Sequence, residues 1–472
     1  MSNRLLSLLA ACTSMYAQSN FATLTGRVQD PAQTSISGAR VTVTAKATAT
    51  VRQTVTNSEG LFEVPSVVPG EYSLLVSASG FADQSRDIVL EVGQHMGLDL
   101  ALQLGERHEI VNVEASAENL KTQDASIGEV VEPKSIQDLP LNGRMLIDLA
   151  LTVPDAHIGM GAQTGETSPL YWRPGQRSAI TIGGNRPDAN YYLLDGVTNT
   201  DPTFNTMNLS LSPDAVQEFQ VQTGSYSAEL GGAGGGQVNI VTRQGGSQFH
   251  GTGYEFLRNN ALDARTWNET PGTSHLVQNN FGGSLGGPLF GKQTFFFANY
   301  EGFRQTQAQT AMDTVPTAAE ATGDFSASGA NIFDPSTSYA NPNYNPALPV
   351  STGNPQTLRS EFPGNVIPAT RLNSAAALMM KNYTPRPNTT GDMGYGMTMN
   401  GAPAVFGAGM DSNNLLDVRD ATGRNNQGTV RVDRMFGNLG TLNVRFSSTN
   451  EQGFTPQNLP GYGFNYDNAS QN

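Results

Sequence analysis

Few residues in this chain have the types and spacing that catalysis or metal binding requires. One cysteine excludes an internal disulfide framework and a cysteine-based zinc site. Residues 286–292 mimic a phosphate-binding loop, but Gln293 stands where Ser or Thr is needed, and a β-favouring segment follows instead of a helix. The histidines are scattered without metal-ligand spacing: His95, His108, His157, His250 and His275. We therefore expect no catalytic residues, no metal site and no cofactor, and a hairpin turn at residues 286–292.

The densest group of glycines lies in residues 214–246, which have the pattern strand, glycine loop, strand. Phe219 and Val221 alternate with polar neighbours, which predicts one apolar strand face. Residues 237–242 form a second β-favouring run. Ordering a glycine costs backbone entropy, so a run of glycines needs a structural reason. The glycines of residues 231–236 therefore indicate a sharp turn or close packing of the backbone against another part of the protein. A phosphate site would need a helix after these glycines, so the pattern disfavours nucleotide binding.

This stretch resembles the end of the plug domain of TonB-dependent outer-membrane receptors, where a similar run, G-x-V-N-I-x-T-K/R, leads into the barrel. Residues 236–243 match that run position by position. Residues 180–186 and 191–197 are similar to two plug motifs of siderophore receptors, although Gly183 stands where arginine is common. That departure weighs against carrying over a salt-bridge network from that branch. The resemblance marks as plug-motif residues Gly183, Gly184, Asp195, Gly196, Gly235, Gly236, Val238, Asn239, Ile240 and Thr242.

The amino-acid composition also limits the classes of protein to which the chain can belong. Charged residues make up 14% of the chain and glycine accounts for 51 positions, which favours a β-rich, loop-rich protein. The net charge of −14 argues against a nucleic-acid partner. Beyond the first residues no apolar run of about eighteen is present, so any membrane span must consist of strands.

The N-terminus has the pattern of an export signal. Arg4 precedes a short apolar run, and small residues near Ala17 favour cleavage there, so residues 1–17 are interpreted as a signal peptide. Residues 9–12 also fit a lipoprotein motif, in which Cys12 would be acylated. Both interpretations take the chain out of the cytoplasm.

Residues 20–105 contain about seven short alternating strands separated by turn signals, which predicts a β-sandwich. The segment resembles the carboxypeptidase regulatory-like domain, an accessory domain without a peptidase centre that is grouped with carbohydrate-binding-like folds. The matching positions include Gly26, Asp30, Gly38, Gly60, Phe62, Pro69, Gly70, Tyr72, Gly80 and Phe81. The expected inward residues are Val28, Val41, Val43, Phe62, Tyr72, Leu74 and Val76.

Residues 106–246 are expected to form an α+β plug, with short helices over residues 131–140 and 143–151. Residues 139–144 resemble the plug of the Oar-like branch of these receptors. A segment at its start resembles a TonB box, which the periplasmic protein TonB captures as an added β-strand. A plain linker and a first plug strand are the alternatives. The candidate residues are Glu109, Ile110, Val111, Asn112, Val113, Glu114 and Ala115.

Residues 247–472 are predicted to start an antiparallel transmembrane β-barrel. The hairpin over residues 429–447 alternates most clearly, and one set of side chains would face lipid and the other the lumen. The aromatic residues in 294–304 are typical of the interfacial girdle of a barrel. Residues 311–425 are predicted to form a long extracellular loop, with a short helix over residues 372–383 inside it. The lipid-facing set is Val430, Val432, Leu442, Val444 and Phe446; the lumenal set is Arg431, Asp433, Asn443 and Arg445.

The predicted fold class is therefore mainly β: an N-terminal β-sandwich, an α+β plug, and an incomplete transmembrane barrel. Five or six barrel strands are fewer than a closed barrel needs, so we expect the chain to be the N-terminal part of a longer receptor. The resemblance implies an outer-membrane receptor or transporter, not an enzyme, whose partners are TonB, outer-membrane lipid and an unknown extracellular ligand. The alternatives are a secreted or surface adhesion protein that binds carbohydrate or protein through its sandwich, and an inactive fragment.

Overall fold

The computed structural model describes most of the chain. The described residues are 21–105, 110–112, 126–139, 141–159, 179–202, 205–226, 234–264, 275–291, 293–328, 331–389, 414–437 and 440–454. They form a mainly β protein, as predicted, with two short α-helices. No described helix has the length and apolar character needed to cross a membrane. The expected leader, including Cys12, lies outside the described residues.

The N-terminal sandwich consists of two sheets packed around one apolar core. One sheet has the order β4-β1-β7, and the other has the order β3-β2-β5-β6-β8. The strands are β1 (Ala22–Gln29), β2 (Arg40–Ala45), β3 (Val51–Val55), β4 (Leu61–Val67), β5 (Gly70–Ser77), β6 (Asp83–Leu90), β7 (His95–Ala101) and β8 (Ile110–Asn112). All seven predicted inward residues are buried in this core, because strand alternation places them on the facing sides of the two sheets.

The central domain packs short helical segments against a mixed sheet of order β13-β12-β15-β14-β9. A separate hairpin pairs β10 with β11. Its strands are β9 (Ile127–Val131), β10 (Ala156–Gly159), β11 (Ala179–Ile182), β12 (Tyr191–Leu194), β13 (Val197–Thr198), β14 (Val216–Gly224) and β15 (Gln237–Thr242). Its helical segments are α1 (Pro133–Asp138) and the 3-10 turns Asn142–Arg144, Leu146–Thr152, Pro187–Ala189 and Pro213–Ala215.

The first predicted helix of this domain is confirmed as α1, which begins at a proline in its first turn. The second, expected over residues 143–151, is 3-10 and not α. It still buries Leu146, Leu149 and Ala150 against the sheet, as its apolar face predicted. Gly143 interrupts the regular helix with a φ of 66°.

Strand β14 has the predicted apolar face, and its opposite, polar face is buried as well. Both of its faces are covered, and the polar residues Glu218, Gln220 and Gln222 are buried together with Phe219 and Val221. All six residues of β15 are buried as well. Alternation therefore marked the two faces of each strand correctly, but the polar face contacts other parts of the protein and not water.

The C-terminal sheet has five long antiparallel strands in the order β16-β17-β18-β21-β22. Within the described residues β16 and β22 each pair on one side only, so the sheet is not closed. The hairpin turn predicted at residues 286–292 is shorter, because residues 286–290 still belong to β17; Gly291, with a φ of 62°, lies in the turn that leads to β18. The strands are β16 (His250–Asn259), β17 (Leu276–Phe290), β18 (Thr294–Asp313), β21 (Leu415–Met435) and β22 (Thr441–Phe454).

One face of this sheet is polar and buried, and the other is apolar and exposed. Arg431 and Asp433 are buried, whereas Val444 is 64% and Phe446 is 72% exposed. The predicted phase of the hairpin formed by β21 and β22 is confirmed, with Asn443 remaining exposed on the last described strand.

The aromatic girdle predicted for residues 294–304 was wrong for three of its five rings. Phe295, Phe297 and Phe303 occupy odd positions of β18 and are buried against the central domain. Phe296 and Tyr300 occupy even positions and lie on the opposite face. Aromatic content alone did not reveal the strand phase, because rings fill both faces of this strand.

The long connection between β18 and β21 is shorter than predicted. Strand β18 continues to Asp313 and β21 begins at Leu415, since polar Thr, Gln and Asn residues extend the lumenal face of both strands. The described part of the connection contains the predicted helix as α2 (Ser374–Asn382), capped by Asn373. It also contains β19 (Tyr339–Ala340), β20 (Thr357–Leu358) and the 3-10 turns Glu320–Thr322, Pro335–Thr337, Pro363–Asn365 and Ala369–Arg371; a further turn, Asn260–Leu262, follows β16.

Candidate functional site

The central domain and the C-terminal sheet meet in two buried polar clusters. The first, the Arg144 cluster, consists of Arg144, Ser212, Asp214, Tyr254, Glu301 and Gln427. Glu301, which is 2% exposed, lies on β18 and points at the central domain. Its carboxylate accepts hydrogen bonds from Arg144 Nε (2.9 Å), Ser212 Oγ (2.9 Å), Tyr254 Oη (2.6 Å) and Gln427 Nε2 (3.0 Å).

Arg144 connects the central domain to the C-terminal sheet, because it pairs with one carboxylate from each. Its guanidinium pairs with Asp214 of the central domain and with Glu301 of the sheet. Its Cζ lies 4.3 Å from the ring centroid of Tyr254 and 4.9 Å from that of Phe256, in cation–π geometry. Burial alone would lower the pKa of Arg144, but Glu301 and Asp214 raise it above its usual value, so the guanidinium stays charged.

The second contact, the Asp195 cluster, consists of Asp195, Thr242, Arg431, Asp433 and Arg445. Asp195 Oδ1 and Oδ2 accept hydrogen bonds from Thr242 N and Oγ1, each at 2.8 Å. Arg445 Nε lies 2.7 Å from Asp195 Oδ2, and Arg431 Nη1 lies 3.5 Å from Oδ1. Arg431 also pairs with Asp433 and donates to the carbonyl oxygen of Thr242 at 2.9 Å.

Local backbone geometry positions Asp195 for this role. It lies in the tight turn between β12 and β13 with a φ of 50°, followed by Gly196 with a φ of 78°. Aspartate is among the few residues that tolerate this left-handed conformation. Sequence reasoning identified the turn but missed that its carboxylate holds the end of β15 and two arginines of the C-terminal sheet. The signal was present in the lumenal arginines of β21 and β22, which needed an acidic partner.

The predicted plug-motif glycines fall into two groups, and the structure requires glycine for a different reason in each group. Gly183 and Gly184 form the turn after β11 with φ values of 64° and 71°. Gly235 and Gly236 instead pack against other backbone and side chains: a Cβ on Gly235 would meet Asn190 at 2.7 Å, and one on Gly236 would collide with Ile182. Asn190 Oδ1 accepts a hydrogen bond from Gly236 N at 3.1 Å, which fixes this approach.

The remaining plug-motif residues form β15 itself. Val238 and Ile240 are buried in the apolar core of the central domain. Asn239 is buried on the opposite face, and Thr242 joins the Asp195 cluster. The structure therefore brings Asp195, Gly196 and residues 235–242 together, whereas Gly183 and Gly184 follow β11 in the separate hairpin that it forms with β10.

The TonB-box candidate lies apart from this motif. Its described part, Ile110–Asn112, forms β8 and pairs in parallel with β6 of the sandwich. Glu109, Val113, Glu114 and Ala115 lie outside the described residues. Residues 110–112 thus continue the sandwich sheet, and among the described residues they pair with β6 and not with the central sheet.

The sandwich also touches the central domain at a buried carboxylate. Glu218 Oε2 on β14 accepts a hydrogen bond from Val92 N at 2.8 Å. Burial raises the pKa of Glu218 to about 7, and the Val92 N–H opposes that rise. Ser247 N donates to Ala47 O at 2.9 Å, so a second sandwich turn contacts the segment that leads into β16.

Within the described residues, no group of three or more His, Cys, Asp or Glu side chains could hold a metal ion. The acidic residues of both clusters face arginines instead. This arrangement can hold the central domain against the C-terminal sheet through buried contacts between charged side chains, and such contacts can separate again.

Comparison with known proteins agrees with this architecture. Residues 23–103 match the carboxypeptidase regulatory-like domain, and residues 241–472 match the outer membrane beta barrel domain. The chain is 28% identical over 302 residues to the TonB-dependent transporter Oar of Myxococcus xanthus. The chain therefore resembles Oar-like TonB-dependent receptors in its N-terminal domain and in its barrel strands. The match covers 61% of this chain and 27% of the Oar protein, so the chain spans about a quarter of that relative's length.

Solved receptors of the outer membrane are similar to this chain at low identity. The transporter YddB of Escherichia coli is 11% identical with a TM-score of 0.37, over 70% of this chain and 33% of that one. The siderophore receptor PirA of Acinetobacter baumannii is 14% identical with a TM-score of 0.30, over 72% and 46%. The match to the outer membrane beta barrel domain and the similarity to Oar place the protein in the outer membrane.

Proposed function

We propose that this receptor binds an extracellular ligand above its central domain and moves it across the outer membrane with energy delivered by TonB. The central domain acts as the plug, and the strands β16 to β22 contribute part of the surrounding wall. The connection between β18 and β21 lies on the ligand side. TonB acts from the periplasm on the segment at residues 109–115.

A single observation carries this proposal: the C-terminal sheet has its polar side inside and its apolar side outside. Leu285, Leu442 and Val444 are each more than half exposed, whereas the oppositely facing Glu301 and Arg431 are buried. In water such a surface would drive association, since large exposed apolar patches are rare on soluble proteins. In a bilayer it matches the outward apolar band of a transmembrane barrel.

The two polar clusters support a plug that is held but can be released. Each is built from charged side chains contributed by both bodies, so separation breaks the ion pairs of Arg144 with Glu301 and of Asp195 with Arg431 and Arg445. Charged groups regain water when such contacts open, which offsets part of the cost. A wholly apolar contact would gain no such compensation.

The family that the chain resembles consists of transporters and receptors. We extend this to the chain itself: it performs binding and transport and carries out no covalent chemistry. The proposed division is a leader at residues 1–17, the sandwich at 20–105, the plug at 106–246 and barrel strands from 247 onward. The ligand is of a class that a long polar connection can recognise.

The proposal is tested by deleting residues 109–115 from the full-length receptor and measuring its binding to the purified periplasmic domain of TonB. We expect the intact receptor to bind and the deletion variant to lose binding at least tenfold, because strand addition needs this backbone. Outer-membrane fractionation of both proteins checks that the deletion leaves assembly intact.

Deletion of residues 116–122, a neighbouring segment of equal length, is the matched control and should leave TonB binding within twofold. Equal binding by both deletions would contradict the assignment of the TonB segment. Recovery of the intact protein in the soluble secreted fraction would contradict the receptor function altogether and favour an adhesion protein.

A further inference from the structure

An open depression with a volume of about 670 Å³ lies on the C-terminal sheet, toward the long connection between β18 and β21. Strands β17, β18, β21 and β22 contribute its walls. Arg304 in this depression occupies an even position of β18, as do Phe296 and Tyr300, so its side chain lies on the outward face of the sheet. Arg424 of β21 is its register partner and is exposed. The depression therefore opens on the outward face and not toward the central domain.

The two arginines place like charges side by side. Like charges that lie directly opposite each other on neighbouring strands repel and destabilise the pair. In the described part of the chain, neither Arg304 nor Arg424 forms an ion pair. Arg304 Nη1 donates instead to the carbonyl oxygens of Phe303 at 2.7 Å and Asn425 at 3.0 Å, and its Nη2 donates to Asn426 Oδ1 at 2.7 Å. These acceptors are neutral, so an anion from outside the chain would relieve the repulsion.

A row of polar side chains crosses the four strands at this level. Asn279 lies opposite Arg304, and Gln452 lies opposite Arg424, so the two arginines form the middle of the row. All four residues line the depression. Guanidinium and amide groups donate hydrogen bonds to oxyanions, and the planar fork of arginine matches two oxygens of a phosphate. The row therefore fits a phosphate group better than a neutral ligand.

Two carboxylates on the outward face lie farther away. Asp420 precedes Arg424 by four residues on β21, and its Oδ1 lies 2.9 Å from His275 Nδ1. Glu255 lies on β16, which is separated from β18 by β17, so two strand spacings of about 4.8 Å each lie between Glu255 and β18. Neither carboxylate lies between the two arginines, so their charge remains available to a ligand.

The polar row lies at one margin of an uncharged band. On β18 the outward positions from Phe296 to Gly302 carry no charge, and on β21 the same is true from Asn426 to Val432. Arg304 is ten residues from Thr294, where β18 begins after the short turn. Ten residues at about 3.4 Å each and a tilt of about 40° rise about 26 Å along the membrane normal, and the apolar band of such barrels is about 25 Å tall. Because short turns face the periplasm and long connections face the exterior, the arginines lie at the level of the extracellular headgroups.

Two outward rings fix the guanidinium of Arg304 at this level. The ring centroids of Phe281 and Tyr300 are 6.4 Å apart, and Arg304 Cζ lies 5.4 Å from the centroid of Phe281. Tyr300 Oη donates to Asn426 Oδ1 at 2.9 Å, and that oxygen also accepts from Arg304 Nη2. Aromatic side chains are typical of the interface between hydrocarbon and headgroups. A charged group that is held in place before binding loses less freedom when an anion arrives.

The geometry points to the arginine pair, Arg304 and Arg424, as a binding site for the phosphate group of an anionic lipid in the outer leaflet. The phosphate lies between the two guanidinium groups and removes their repulsion, while Asn279 and Gln452 donate from either side. The acyl chains of the same lipid cover the outward apolar surface below, which includes Val430, 49% exposed. A free anion would lack this second contact, so the surface fits a lipid best. This inference rests on the proposed function only in requiring that the outward face contacts lipid.

The test measures how tightly the full-length receptor, purified in a neutral detergent, binds lipid A that carries two phosphates. Native mass spectrometry across a lipid titration gives the apparent Kd. Arg424→Gln removes one charge and leaves the strand pairing intact, since the side chain is exposed, and we expect at least tenfold weaker binding. Arg424→Lys keeps the charge without the planar fork and should give a smaller loss. Arg434→Gln, the matched control, removes an exposed arginine at the opposite end of β21 and should stay within twofold.

Stability in vesicles gives a second measurement of the same site. In vesicles of phosphatidylcholine alone, Arg424→Gln should unfold at the same urea concentration as the unchanged receptor or at a higher one, because it relieves the repulsion. When lipid A is added to the vesicles, the unchanged receptor should gain stability and Arg424→Gln should gain much less. An equal gain for both proteins would contradict the inference.

The binding outcomes separate a lipid site from its alternatives. Unchanged lipid A binding by Arg424→Gln, or an equal loss with Arg434→Gln, overturns the site. Displacement of lipid A by excess inorganic phosphate would show that the pair takes a free anion, which also overturns it, whereas binding that persists supports a lipid. If the site fails while the receptor stays in the outer-membrane fraction, the proposed function stands. Recovery of the receptor in solution without detergent would remove both.

Discussion

The plug sheet and the C-terminal sheet use similar alternation of polar and apolar residues with different outcomes. In the central domain, the proposed plug, β14 and β15 are buried on both faces, so their polar residues lie against other parts of the protein. In the C-terminal sheet, Arg431 and Asp433 of β21 are buried, whereas Val430 on the opposite face is 49% exposed. The difference lies in what surrounds each sheet and not in the period of the pattern.

This contrast predicts that the two sheets are destabilised by different kinds of substitution. In the C-terminal sheet the inner face depends on complete pairing of its charges, and the outer face depends on apolar side chains where it contacts the membrane interior. In the plug, close backbone contact and one titratable carboxylate matter most. Four substitutions probe these differences.

The largest effect is expected from Glu301→Ala. This removes the acceptor of four hydrogen bonds and leaves Arg144 with Asp214 alone, so we expect a loss of about 3–5 kcal/mol in the free energy of unfolding. Urea unfolding of the receptor in lipid vesicles measures it. Glu255→Ala on β16, where the side chain is exposed, is the matched control and should change stability little. Similar losses for both would break the distinction between the two faces.

Val444→Arg tests the outer face. A charge facing lipid near the membrane centre costs about 2–4 kcal/mol, and Val444 is 64% exposed on β22. Asn443→Arg, one position earlier, directs the same side chain toward Asp433 and should cost much less. Folding yield into vesicles and urea midpoints compare the two. If Asn443→Arg were the more harmful change, the assignment of the lipid face would be reversed.

Glu218 predicts a pH dependence in the plug. The unfolded chain releases this proton near pH 4.5, whereas burial raises the folded pKa to about 7. A raised carboxyl pKa adds stability below about pH 4.5 that is lost as pH rises through about 7, and its size is on the order of 3 kcal/mol. The protection factor of the Val92 amide, which is its exchange rate corrected for the intrinsic effect of pH, should therefore be lower at pH 8 than at pH 5. Glu218→Gln should remove this difference; a persisting difference would assign it to another group.

The smallest of the four effects concerns backbone contact in the plug. Gly236→Ala would press a methyl group against Ile182, and overpacking of this kind costs about 1–3 kcal/mol. Gly234→Ala is the control, because nothing lies within 4 Å of the position its methyl would take. Thermal unfolding of both variants should separate them. Equal melting temperatures would mean that the plug relaxes around residue 236.

The sequence predicted the strands well and their surroundings less well. The inward residues of the sandwich and the phase of the β21–β22 hairpin follow from alternation, which depends on local geometry. The buried polar face of β14 and the inward rings of Phe295 and Phe297 could not be predicted this way, since burial depends on elements distant in the chain. The candidate site could likewise be predicted only in part. The turn at Asp195 follows from the local sequence, but its partners Arg431 and Arg445 are more than two hundred residues away.

That distance has a consequence for the order in which the receptor assembles. Asp195 and Arg431 are 236 residues apart, so the plug cannot acquire this contact until β21 has been made and inserted. Contacts of such long sequence separation form late, because the intervening loop must first be closed. A newly exported chain therefore carries a finished sandwich and an unanchored plug for some time.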